Sequence, residues 1–212
     1  MRDDTPEVET PPASISPEGA HEVADQVAGF LTALQTVARE GDPGQGVPLL
    51  LLEVSEVLLA GARLAVREDF TPAQEFQPDA GPDPDVDAIR EELATMLGGA
   101  DVYGEVFDPY QPEELVPGRL SDDLASVATD LAHGLRHFRE GRVTEALWWW
   151  QYSYVASWGP EASAALRALQ SVVAHDRLDT DAGTIDAAAL DVEAEQLAAA
   201  DEMLNRTGSP AP

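Results

Sequence analysis

Apolar residues recur every three or four positions through most of this chain, the spacing that gathers them on one face of an α-helix. The first such stripe is Val23, Val27, Phe30, Leu31, Leu34 and Val37. Ser16 stands ahead of it as an N-cap with Pro17 at the first helical position, and Gly41-Asp42-Pro43-Gly44 closes it. A second helix is predicted from near Pro48 to about Arg67. Its polar face is confined to Glu53, Glu56, Arg63 and Arg67, with Ala60 completing the spacing, and so narrow a stripe predicts a central place in a bundle. A shorter third helix is expected over roughly 85–98, with Val86, Ile89, Leu93 and Leu97 inward. A fourth opens at Ser121 as N-cap, with Asp122 and Asp123 in its first turn, where the helix dipole favours acids. It turns Leu124, Val127, Leu131, Leu135 and Phe138 inward. A fifth follows Gly141 and breaks at Trp158-Gly159-Pro160, and a sixth runs from Pro160 to about His175. A last helix, rich in alanine and acids, is expected over roughly 184–206.

No stretch sustains the period-two alternation of a strand, so the predicted fold class is all-α: a single-domain bundle of six to seven helices, centred on helices two and five. The expected organisation is a disordered acidic leader over 1–15, a helical core over 16–178, an acidic C-terminal helix over 179–206 packed on or extending from the core, and a disordered tail over 207–212. Residues 69–84 are dense in proline and predict a loop. The segment from Asp101 to Leu120 mixes aromatics with turn residues. It is expected to pack across the bundle with one short strand or a turn of helix. Val127 to Trp158 partly matches a tetratricopeptide-like helical hairpin, with Gly134, Gly141 and Ala146 at the small positions and Trp150 at the large aromatic one. Asp130 and Ser153 depart from that pattern, which leaves one partial hairpin and no array.

The fifth helix carries the densest chemistry. All four tryptophans fall there, Trp148, Trp149, Trp150 and Trp158, with Tyr152 and Tyr154 between them. Successive helical residues point about 100° apart, so three adjacent tryptophans cannot share one buried stripe. Val143, Leu147, Trp150 and Tyr154 share the face expected to be core; Trp148, Tyr152 and Val155 point the other way, with Trp149 between. Either the helix is buried on nearly every side, or it displays an aromatic surface to a ligand or partner. In the second case Trp148, Trp149 and Tyr152 supply the apolar area, Glu145 and Gln151 the polar groups, and Tyr103 and Tyr110 of the 101–110 segment lie beside them.

Composition narrows the chemistry. The 212 residues hold 40 acids against 12 bases, a net charge of −28, and every base is arginine. Without lysine there is no Schiff base and no P-loop; without cysteine there is no disulfide, thiolate nucleophile or thiolate-bound metal. The charge repels nucleic acids and anionic lipid, so neither direct nucleic-acid binding nor membrane association is expected. The acidic opening has no apolar signal region, and acids and Arg63 interrupt the longest apolar run, so a cytoplasmic protein is expected.

A second candidate constellation lies on helix four, where Asp130, His133 and His137 share a face at helical spacing. Two imidazoles at i,i+4 with a carboxylate can hold a metal, and Glu53 and Glu56 would complete an acid–imidazole cluster if helices two and four were neighbours. No His-Glu-x-x-His motif supports it, and no cofactor is expected. Asp83-Pro-Asp-Val-Asp87 lacks the glycine and the closing glutamate of a calcium loop. Arg136, Arg139 and Arg142 form the one local basic cluster, a candidate anion site.

Val47-Pro-Leu-Leu-Leu-Leu-Glu-Val-Ser55, Asp101-Val-Tyr-Gly-Glu-Val-Phe-Asp-Pro-Tyr110 and Glu145-Ala-Leu-Trp-Trp-Trp-Gln-Tyr-Ser-Tyr154 with Trp158-Gly-Pro160 together resemble the domain of unknown function 5063 family, mostly actinobacterial, over roughly residues 20–178. The resemblance implies a cytoplasmic helical protein and carries over no catalytic residue. The function expected is a non-catalytic binding or adaptor protein with a protein partner at the aromatic helix. The alternatives are a metal-dependent or acid–base enzyme using the Glu/Asp/His cluster, and an acidic decoy of a nucleic-acid-binding protein.

Overall fold

In a computed structural model of the chain, the residues described are 15–72, 81–82, 84–106, 110 and 115–178. The expected leader, the acidic C-terminal helix and the tail lie outside them, as does most of the proline-dense loop. Two compact units divide the chain, Met1–Val173 and Ala174–Pro212; the described part of the second is the end of the last helix.

The fold is all-α apart from one hairpin: α1 (Pro17–Glu40), α2 (Pro43–Ala65), α3 (Asp87–Leu97), β1 (Val102–Val106), β2 (Leu115–Arg119), α4 (Leu120–Arg139), α5 (Val143–Ser153) and α6 (Gly159–Leu178). Helix α1 packs on α2 and α4, and α5 on α2 and α4, so these four close a ring around the core; α3 lies across α1 and α4. Phe30, Leu34, Leu50, Val57, Leu124, Leu131, Trp150 and Trp158 fill the centre. The predicted inward stripe of α1 is buried apart from the partly covered Leu31. Ser16 Oγ accepts from Gly19 N at 3.1 Å, and Gly41, at φ 66°, closes the helix with its N–H on Val37 O.

Helix α2 departs from expectation at its start and in its surroundings. It begins at Pro43, capped by Asp42, whose Oδ1 accepts from Gly44 N at 3.0 Å, so Pro48 lies inside the helix and removes one hydrogen bond there. The earlier start brings Gly46 against α1: a Cβ there would stand 2.7 Å from Val37 Cγ1. Nor is α2 central. Its buried side is Val47, Leu50, Val54, Val57, Ala60, Gly61 and Leu64, while Leu52, Leu59 and Val66 on the outer side are exposed. An all-round apolar helix is usually buried; here the neighbours cover one side, and Ala60 falls on that side rather than in the polar stripe.

Residues 101–120 supply two strands where one was expected. Strands β1 and β2 pair antiparallel with Tyr103 opposite Gly118, and a Cβ at Gly118 would meet the Tyr103 ring at 2.7 Å. Ser121 is not the N-cap of α4, which starts at Leu120 and takes its cap from a distant residue, Asp101. The fully buried Asp101 accepts from Ser121 N at 2.8 Å, Ser121 Oγ at 3.1 Å and Arg119 Nε at 3.0 Å, and its main-chain oxygen accepts from Leu120 N at 2.9 Å. A carboxylate at a helix N-terminus meets free N–H groups and the positive end of the dipole together.

The predicted break at Trp158-Gly159-Pro160 is instead a π-helical turn, Tyr154–Trp158, that leads directly into α6. Pro160 has no N–H to donate, and the longer i→i+5 bonds re-space the backbone just before it. Gly159 N donates to Tyr154 O, and a Cβ at Gly159 would sit 2.2 Å from that oxygen, so only glycine fits.

Candidate functional site

The aromatic helix, α5, packs against α2 and α4, and its side chains divide by direction. Trp150 is fully buried, and its Nε1 donates to Leu131 O of α4 at 3.0 Å. The approach is so close that a Cβ at Gly134 would lie 2.2 Å from Trp150 Nε1. Thus the small and large positions of the partial hairpin motif are in direct contact. Trp158 is also buried, donating to Trp150 O at 3.3 Å, and Gly61 of α2 makes room for Trp158 and Tyr154. Trp149 is half-buried: its Nε1 donates to Asp130 O at 3.0 Å, and its ring lies over His133 with centroids 4.1 Å apart.

Gln151 is buried and serves as a cap for α2. Its Nε2 donates to Leu64 O at 2.9 Å, with Arg67 O and Glu68 O at 3.4 Å, and its Oε1 accepts from Phe70 N at 3.1 Å. One amide thus meets both the last carbonyls of the helix and the chain leaving it. The run Trp149-Trp150-Gln151 therefore has a structural reading, two rings keyed to α4 and one amide closing α2.

Outward lies a different surface. Trp148 and Tyr152 stack with ring planes 4° apart and centroids 5.4 Å apart. Tyr152 is 58% exposed and Val155 68%. They border a groove of about 260 Å³ that is completed by Ala65, Asp69, Gln151 and Ala156. Asp69 and Ala65 were not legible as site residues, because they reach the groove only through packing of α2 on α5. Neither hairpin tyrosine lines it. Tyr103 bonds Asp123 in the first turn of α4, and Tyr110 is fully displayed beyond β1. Glu145 is buried near the α4–α5 turn.

The second constellation is spread over separate places. Glu53 and Glu56 face α1 across a cleft of about 770 Å³ that also holds Glu18, Glu22 and Asp25. Burial, and then the Glu56 charge, raise the Glu53 carboxyl above its ordinary range. On α4, His137 is completely buried and its Nδ1 accepts from Arg142 Nε at 3.1 Å, which places the proton of the neutral ring on Nε2. Burial holds its pKa below the ordinary value, helped by Arg142 and His133 and opposed by Glu140 and Glu145. His133 lies between His137 and Trp149. Among the described residues, no three of His, Asp and Glu come together closely enough to hold a metal.

One polar cluster had no sequence signal. Ser157 Oγ donates to Asp130 Oδ2 at 2.7 Å. Glu161 sits near both Ser126 and Asp130; burial raises its pKa, the Ser126 hydrogen bond lowers it and the Asp130 charge raises it again. These residues come from α4, the π turn and α6, and only tertiary packing joins them.

Among the described residues, no helix is long and apolar enough to cross a membrane. The helical ring with its hairpin is similar to the crystal structure of protein BF1032 from Bacteroides fragilis, at TM-score 0.61 and 19% identity, covering 74% of this chain and 92% of that one. That likeness concerns the fold. The sequence matches the family model described as domain of unknown function DUF5063 over residues 14–175, and the chain belongs to that family. No curated protein matches it.

Proposed function

We propose that the protein is a non-catalytic binding or adaptor protein whose recognition surface is the outer face of the aromatic helix, centred on Trp148, Tyr152 and Val155. The observation that carries this reading is the stacked Trp148–Tyr152 pair, with Tyr152 mostly exposed beside an exposed Val155 and a groove. Aromatic side chains already held by a neighbour lose little freedom on binding, and Trp and Tyr are enriched among interface anchors. The separation of the α2 acids from the α4 histidines favours binding over acid–base or metal chemistry. The partner in this reading is another protein, met in the cytoplasm, since a net charge of −28 repels nucleic acid and anionic lipid.

The test is site-specific photo-crosslinking in cells. A benzophenone side chain at Val155 is expected to give one adduct of defined mass that disappears with Tyr152→Ala. The same probe at Arg167, exposed on α6, gives none. Equal adduct patterns from the two positions would end the proposal.

A further inference from the structure

We infer that a second pocket, between α1, α3 and α4, binds an organic monoanion: a small molecule with an aliphatic body and one carboxylate or phosphate head. The pocket measures about 370 Å³, within the range of small-molecule sites. Its origin is legible in the side chains. Ala28 on α1 and Ala128 and Ala132 on α4 stand where the two helices face each other, and their small size leaves space between the backbones. Leu31, Leu135 and Ile89 complete an apolar wall.

The rim is cationic. Arg136 and Arg139 project one turn apart from the stripe of α4 that carries Ala128 and Ala132. In a chain with 40 acids and 12 arginines, carboxylate partners are plentiful, and Arg63, Arg90, Arg119 and Arg142 each have one. Arg136 instead donates to the carbonyl of Pro82, and Arg139 has no ion pair among the described residues. Asp85 also lines the pocket, its Oδ1 accepting from Asp87 N at 3.2 Å. Among the described residues lining the pocket, two arginines and one aspartate leave a single positive charge, which matches a monoanionic head. Guanidinium forks bind carboxylate and phosphate oxygens alike, and the apolar wall takes the aliphatic body. This site is built from α1, α3 and α4, whereas the aromatic groove is lined by residues of α2, α5 and the segments that follow them, so it does not depend on that groove.

Calorimetric titration of the full chain with octanoate, octyl phosphate and octanol tests the inference. Expected is saturable one-to-one binding of at least one anion, at least tenfold tighter than octanol; the tighter anion identifies the head. Arg136→Gln with Arg139→Gln should weaken the anion at least tenfold and leave octanol unchanged. Ala132→Leu should remove binding by filling the wall, while Ala132→Ser, which keeps the volume, binds as wild type and serves as the folded reference. Absence of saturable binding by both anions at millimolar concentration overturns the inference, as does binding that survives the double arginine replacement.

Discussion

Replacing Gly134 by alanine opposes two effects of different size. On intrinsic preference alone, Gly→Ala inside a helix stabilises by about 1 kcal/mol. Here the new Cβ would stand 2.2 Å from Trp150 Nε1 and 2.5 Å from its Cδ1, inside any real contact distance. The ring is buried with Phe138 beside it, so it has no free space to retreat into. Overpacking of this kind costs about 1–3 kcal/mol. Pushing the indole away also breaks its bond to Leu131 O, and a buried N–H left unpaired costs about 1–3 kcal/mol more. The net expectation is destabilisation by about 3 kcal/mol, a fall in Tm of about 6–12 °C for a chain of this size. Urea unfolding followed by circular dichroism measures it. Trp150→Ala in the Gly134→Ala background removes every clashing ring atom, so the double variant should be more stable than the sum of the singles by about 1–2 kcal/mol. A Gly134→Ala protein as stable as wild type, or a strictly additive pair, would refute the close approach as the reason for glycine.

Three further perturbations follow from the same contacts. His137 has a folded-state pKa below its ordinary 6.5, so the unfolded chain binds a proton first as pH falls; stability should drop from pH 6.5 downward until the folded pKa is reached, and His137→Gln should flatten that part of the urea-midpoint profile. The raised Glu53 and Glu161 carboxyls act in the opposite sense, with stability gained as pH falls through their folded values toward the ordinary carboxylate range, and set the background slope of both proteins. Gln151→Glu keeps the acceptor for Phe70 N but places a carboxylate at the negative end of α2 and removes the donor to Leu64 O; a loss of about 2 kcal/mol at neutral pH, partly recovered in acid as the new group protonates, is expected from thermal melts. Asp101→Ala should cost about 2 kcal/mol and raise amide exchange in β1, β2 and the first turn of α4 ahead of the rest, read by hydrogen exchange; uniform protection loss would show that Asp101 is not the local anchor.

What could be read from the sequence followed from local periodicity and capping. The α1 stripe, its Ser16 cap and its Gly41 stop are where spacing and turn chemistry put them. The 100° step also sent Trp150 inward and Tyr152 and Val155 outward, as they lie. The misses share a cause. Asp101 caps a helix that begins nineteen residues later, after the hairpin returns. The outer leucines of α2 are exposed because none of the described elements covers that side, which no property of the helix itself records. Gly159 and Pro160 are break signals in isolation, yet a π turn accommodates them once Trp158 and Tyr154 are held against Gly61. Likewise the groove beside Tyr152 needed Ala65 and Asp69, residues unremarkable until α2 is placed on α5.

The two indole bonds from Trp149 and Trp150 to the successive carbonyls of Asp130 and Leu131 have a mechanical consequence. Helices held by apolar contact alone can shear past one another by an ångström or two, and many conformational changes use that slip. Two donors seated on adjacent carbonyls act like teeth in a rack and remove the sliding motion between α4 and α5. A displacement imposed at Tyr152 is then not dissipated at the joint; it moves α4 with α5 as one lever, and the pivot must lie elsewhere.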